Sequence, residues 1–217
     1  MAPDADDSDT EHDTSRRVEE PVPHAHLARD ETLAPLVEAY GPLELDPEGD
    51  PFERLVVSLV NQQLSTASAA AIRERLFDRF TVTPDGLLAV DEAALREVGL
   101  SGQKVDYIRS AAEAAREGRL ARDRFAVMDD AAVVDDLTDI HGVGTWTAEM
   151  FAMFVLGRAD VFPVEDLAIR RAMESLCDTP SREAMVERAD PWRPVRSYAA
   201  LYLWHHYEDG DPNVPTA

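Results

Sequence analysis

Cysteine is nearly absent from this sequence. Cys177 stands alone among 217 residues, which excludes an internal disulfide and any cysteine-ligated zinc site or iron–sulfur cluster built within one chain. Lysine is as scarce: Lys104 is the only one, leaving twenty arginines among the 21 basic residues. No apolar run approaches the ~20 residues that a membrane span needs. The opening stretch carries Asp and Glu where a secretory signal would carry a hydrophobic segment. Composition therefore predicts a soluble, cytoplasmic chain with no membrane partner.

Positive charge is short overall. Against 43 acidic residues the 21 basic ones leave a net charge of −22 and a pI near 4.5. One reading is an acidic interaction protein that avoids nucleic acid, because nucleic-acid binders normally show a basic footprint. The other is a halophile-like surface for a very salty cytoplasm, where repulsion is screened within ~3 Å at molar salt. The diffuse acidity and missing lysine favour the second, so net charge does not decide function.

What is present is mostly helical pattern. Residues 1–28 are highly charged without an apolar period and are expected to form a disordered acidic tail, with His24 and His26 exposed in it. From Leu33 onward apolar residues recur at helical spacing: Phe52, Leu55, Val56, Leu59 and Val60, then Ala67, Ala70, Ala71 and Leu76, then Val105, Ile108, Ala112 and Ala115. Short connections bearing Gly or Pro separate them, at 83–86, 99–102 and 178–181. Phe80-Thr81-Val82 has strand character, but one strand makes no sheet. The expectation is an all-α body over 29–210.

The stretch 137–157 carries the chemistry. An apolar helix end runs into His141-Gly142-Val143-Gly144, and a second helix starts at once with Trp146, Met150, Met153 and Phe154 along one face. Glycines flanking one apolar residue allow a tight turn. The first N–H groups of the following helix, around Thr145, are left pointing outward with the positive end of its dipole, a ready phosphate site that needs no lysine. Taken alone, the turn fits a plain interhelical connection as well. After Pro163, Asp166 falls in the first turn of the next helix, where locally it need only favour the dipole.

Together these segments resemble the helix-hairpin-helix-Gly/Pro-Asp superfamily of DNA glycosylases, nearest its 3-methyladenine DNA glycosylase II branch. The likeness runs from about 30 to 208. Gln62-Gln63-Leu64-Ser65 is similar to the family's QQ-x-S segment. Gly99-Leu100-Ser101 with Lys104 is similar to its G-L-S-x-x-K stretch, and Trp192-Arg193-Pro194-Val195-Arg196-Ser197-Tyr198-Ala199 to its closing W-x-P-x-R-S-x-A helix.

The resemblance implies two helical lobes around a central cleft and a monomer acting on double-stranded DNA that contains damaged bases. Asp166 would be the catalytic carboxylate. Trp146, Trp204 and Met150 would line the base pocket, while Trp192 reads as packing the C-terminal helix. Gln63 would enter the duplex where the flipped nucleotide was. Gly142, Gly144, Thr145 and Lys104 would contact DNA. Lyases of the family carry a lysine where this chain has Trp146, which implies simple hydrolysis of alkylated purines, with no cofactor required. A structural Na+ or K+ at the hairpin, held by the main-chain carbonyls of Thr138, Ile140 and Val143, is also implied. The competing readings are a glycosylase for mismatched, deaminated or oxidised bases, and a non-catalytic hairpin protein that binds DNA. His141 reads as an exposed turn residue, and His205 and His206 as the frayed end of the last helix.

Overall fold

The computed structural model describes residues 22–210, and all regular structure there is helical. The first half comprises α1 (Pro23–Leu27), α2 (Ala34–Tyr40), α3 (Pro51–Asn61), α4 (Thr66–Arg79), α5 (Pro84–Ala89), α6 (Glu92–Glu97) and α7 (Gly102–Arg116). The second half comprises α8 (Arg122–Phe125), α9 (Asp130–Thr138), α10 (Thr145–Phe154), α11 (Leu167–Cys177), α12 (Arg182–Ala189), a 3-10 turn (Asp190–Trp192) and α13 (Arg196–Gly210). No helix among the described residues is long and apolar enough to cross a membrane.

Helix starts are written plainly in the sequence. Asp50, Ser65, Thr83, Asp91, Ser101, Asp129, Asp166 and Ser181 each accept a first-turn N–H through the side chain, satisfying a donor the helix itself cannot. By contrast, α10 begins on Gly144 with no side-chain cap.

The helices pack in two groups. α3, α4, α5, α6, α7, α9 and α10 form one, and α1, α2, α11, α12 and α13 the other, which brings the N-terminal helices against the C-terminal one. This matches the expected two lobes. The lobes share a continuous apolar core, in which Leu55, Leu59, Ile108, Leu137, Met153, Ile169, Tyr202 and Leu203 are all fully enclosed.

Three expectations need correction. The segment 23–27 is helical rather than part of a tail: Leu27 is fully buried, and the Asp30 carboxylate takes a two-pronged bond from Arg188 at 2.8 Å on each arm. His24 and His26 are accordingly half-buried, His26 Nε2 lying 3.1 Å from the Pro191 carbonyl. The expected tail from 1 to 21 lies outside the described residues. On α4 the inward face is Ala69, Ile72 and Leu76, while Ala67 and Ala70 are exposed. Alanines carry too little apolar area to set a helix's phase, and the larger Ile and Leu decide it. Finally, Phe80, Thr81 and Val82 form a connection and not a strand.

Because Leu27 sits in the shared core, Leu27→Ala is expected to lose about 2–4 kcal/mol of stability in urea unfolding. An unchanged midpoint would mean that α1 is not part of the cooperative unit.

Candidate active site

Beyond their shared core, the two lobes are bridged at one carboxylate. Asp166 is the N-cap of α11 rather than a first-turn residue, and its Oδ1 accepts from the backbone N–H of Ala168 at 2.9 Å and of Ile169 at 3.1 Å. The same oxygen accepts from the Trp204 indole of α13 at 3.0 Å. Oδ2 accepts from the Trp146 indole of α10 at 2.8 Å, a bond that crosses from one lobe to the other. A carboxylate offers about two lone pairs per oxygen. Oδ1 is therefore saturated, and the remaining acceptor capacity lies on Oδ2.

Around Asp166 opens a cavity of about 320 Å3, lined among others by Trp146, Met150, Phe154, Trp204 and His205. The alternation along α10 explains the lining. Trp146, Met150 and Phe154 fall on one helical face, while Met153 on the adjoining face is fully buried in the core. Phe154 covers the Trp204 ring with centroids 5.8 Å apart. Trp146 is 41% exposed and so presents an open aromatic face. Trp192, by contrast, is core. α13 continues to Gly210, so His205 is no frayed end: it stacks against Tyr40 with centroids 5.4 Å apart and borders the cavity.

Trp146 also borders a second, larger groove of about 570 Å3, which holds Gln62, Gln63, Tyr107, Gly142 and Gly144. Here the hairpin's construction is visible. Gly142 has φ +95° and lies so close to Tyr107 that a Cβ would fall 2.2 Å from the ring, so only glycine fits. A Cβ on Gly144 would meet nothing within 4 Å, and the residue is exposed at the uncapped start of α10, next to exposed Thr145. Its neighbouring N–H groups are therefore open to an anion. Gln63 is exposed at the edge of this groove with φ +56°.

Lys104 corrects the sequence reading. It borders the groove, but its ammonium donates to the carbonyls of Leu59, Val60 and Gln62 at 3.1, 2.5 and 2.6 Å, closing the C-terminus of α3. All three N–H donors are used, and burial pulls its pKa below the usual lysine range. The residue clamps the helix that carries Gln62 and Gln63 and leaves nothing to grip a phosphate.

Sequence reasoning passed over four residues. Gln62, masked by the neighbouring Gln63, donates to the Gly142 carbonyl at 3.1 Å and to Thr147 Oγ1 at 3.2 Å, tying α3 to the hairpin. Tyr107 lies under Gly142 and meets the exposed His141 ring edge-on at 4.9 Å. Asp160 receives Arg196 Nε at 2.7 Å and Arg193 at 2.8 Å, which with Ser197 fixes the loop leading to Asp166. That network accounts for the R-S pair noticed in the sequence. The fourth is Glu149 on α10, whose Oε2 is buried without a hydrogen bond. Burial, with Glu165 and Asp166 nearby, pushes its pKa up to about 7. A spacing pattern could have found none of these, because each is defined by what the chain brings against it.

The raised Glu149 pKa fixes the sign of a stability effect. A carboxyl that holds its proton more tightly when folded stabilises fully below its unfolded pKa, and that contribution is lost as pH rises through about 7. Relative to Glu149→Gln, the wild-type Tm is expected to fall as pH rises from mildly acid through neutral. Parallel Tm profiles would contradict this.

Comparison with known proteins agrees with this geometry. A family model described as HhH-GPD superfamily base excision DNA repair protein matches residues 56–194. DNA-3-methyladenine glycosylase 1 of Schizosaccharomyces pombe is 32% identical over 195 residues, covering 84% of each chain. The crystal structure of a Bacillus halodurans DNA-3-methyladenine glycosidase superposes with a TM-score of 0.78 at 35% identity, over 87% of this chain and 90% of that one. The S. pombe 3-methyladenine DNA glycosylase Mag1, solved in complex with abasic DNA, gives 0.73 at 30% identity, over 84% and 94%.

Proposed function

The chain belongs to the HhH-GPD superfamily of base excision DNA repair proteins, and we propose that it is a monofunctional DNA glycosylase that excises alkylated purines by hydrolysis. The observation that carries this reading is the Asp166 carboxylate, held by four N–H donors beside an aromatic cavity.

Cleavage of a glycosidic bond builds positive charge on the sugar, and a preorganised carboxylate stabilises it without having to reorient during the reaction. Oδ2 of Asp166, with its spare lone pair, meets that charge or holds the attacking water. The damaged nucleotide leaves the stack and enters the cavity, where the open face of Trp146 receives the base. A cationic alkylpurine gains on the order of 1–2 kcal/mol there from the indole. The phosphate beside the flipped nucleotide sits at the uncapped N-terminus of α10, next to Gly144 and Thr145, and Gln63 fills the vacated position in the duplex. Met150 and Trp204 complete the pocket. The enzyme acts as a monomer in the cytoplasm and needs no cofactor for the chemical step.

Thr138, Ile140 and Val143 fit a structural monovalent cation. Among the described residues no backbone N–H pairs with the Thr138 or Val143 carbonyl, while that of Ile140 accepts from Val143 N–H at 2.9 Å. A neutral, all-oxygen set suits Na+ or K+. When bound, such an ion would supply positive charge beside the phosphate.

Replacing Asp166 with Asn should lower single-turnover release of 7-methylguanine by at least roughly 10²–10³-fold while duplex affinity changes little. Full activity in this variant would rule out the assignment. A lyase step needs an amine, and the only lysine is occupied at the end of α3. Borohydride treatment during turnover is therefore expected to trap no covalent protein–DNA adduct, and a trapped adduct would show that the enzyme is bifunctional.

A further inference from the structure

Glu149 is the half-buried carboxyl that the proposed reaction leaves without a task. It lies on α10 one turn beyond Trp146 and beside Met150, both of which border the cavity. Its Oε2 is enclosed and has no hydrogen-bond partner among the described residues. The charged groups that act on it are Glu165 and Asp166, both anionic and both in the turn before α11. α9 and α3, which pack on α10, bring no charge to it. Glu165 is paired on its outer side with Arg182 at 2.9 Å.

An enclosed carboxyl oxygen without a partner is costly, and Leu or Met at this helix position would pack without that cost. The acid sits instead within electrostatic reach of Asp166, the carboxylate proposed to meet the sugar. Two fixed anions already surround it, so ionisation is opposed while the cavity is empty. A positive charge arriving in the cavity reverses that balance.

We propose that Glu149 is a positioning residue for Asp166 that holds a proton in the free enzyme and releases it to solvent when a cationic base or sugar occupies the cavity. The only bond broken is the carboxyl O–H, and water or buffer takes the proton. The ionised group raises the negative potential around Asp166 as positive charge moves onto the sugar. Excision of cationic lesions is thereby favoured over that of neutral ones. The inference rests on Asp166 being the carboxylate that meets the sugar.

The test is the pH profile of single-turnover 7-methylguanine release from duplex DNA by wild type and Glu149→Gln. The wild-type rate rises with pH by roughly tenfold, the order expected for one added charge about 12 Å away in a medium of effective dielectric about 20, with a midpoint below neutrality because the bound cation favours ionisation. The variant lacks the rise and keeps the acid-limb rate throughout. Superimposable profiles overturn the proposal.

A second measurement does not depend on the variant folding. In wild type labelled with carbon-13 at the glutamate carboxyls, one carboxyl titrates near neutrality. Its midpoint is lower with DNA carrying a cationic pyrrolidine abasic analogue than with DNA carrying a neutral tetrahydrofuran one. Titration of every glutamate in the ordinary range, or equal midpoints with both DNAs, overturns the proposal. Asp166→Asn separates the two readings: if it excises normally the assignment of Asp166 fails, whatever the profile of Glu149→Gln.

Discussion

The Asp166 carboxylate organises this molecule, because three helices from two lobes aim N–H donors at its two oxygens. Two donors come from the first turn of its own helix, α11. The Trp204 indole comes from α13, and the Trp146 indole from α10 in the other lobe. Hydrogen bonds to an ionised acceptor are roughly twice as strong as neutral ones. The walls of the cavity are thus fixed around this carboxylate. The tryptophans do more than offer flat faces: their edges hold the carboxylate, and their faces form the wall of the cavity.

Charge is divided between surface and interior in a way that reconciles acidity with DNA binding. Several cations close helix ends and loops rather than offering free charge to the groove. Arg109 donates to the Val90 carbonyl after α5, Arg75 to that of Val98 after α6, and Lys104 to the end of α3. Others form half-buried pairs such as Arg196 with Asp160 and Arg124 with Asp136, where solvent screening is reduced. The exposed pairs, Arg79 with Glu97 among them, add little. The backbone at Gly144, where the absence of a side-chain cap leaves donors free, offers an anion a place that needs no cationic side chain. The long-range field of the protein still opposes DNA, and salt screening relieves that opposition.

Glu149 shows the opposite economy. Among the described residues only Trp192 Nε1 and Glu149 Oε2 are enclosed side-chain polar atoms without a hydrogen-bond partner, and the second sits beside the Asp166 turn. Strain of this kind collects at functional sites, where stability is traded for a field that responds to the ligand.

The sequence by itself determined the helical class, the helix starts and the hairpin. Those depend on neighbours a few positions apart: a Ser or Asp that caps its own helix, an apolar period, a glycine that can turn. Asp166, Trp146, Trp204 and Met150 were named only through the family resemblance, and the structure brings all four to one cavity. Which groups face each other was not legible. That Lys104 turns inward to carbonyls, that Gln62 and not only Gln63 secures the hairpin, that α1 joins the core, and that Glu149 is enclosed among anions were decided only by tertiary structure. Burial and donor–acceptor pairing are properties of surfaces brought together from distant parts of the chain, and no local pattern encodes them.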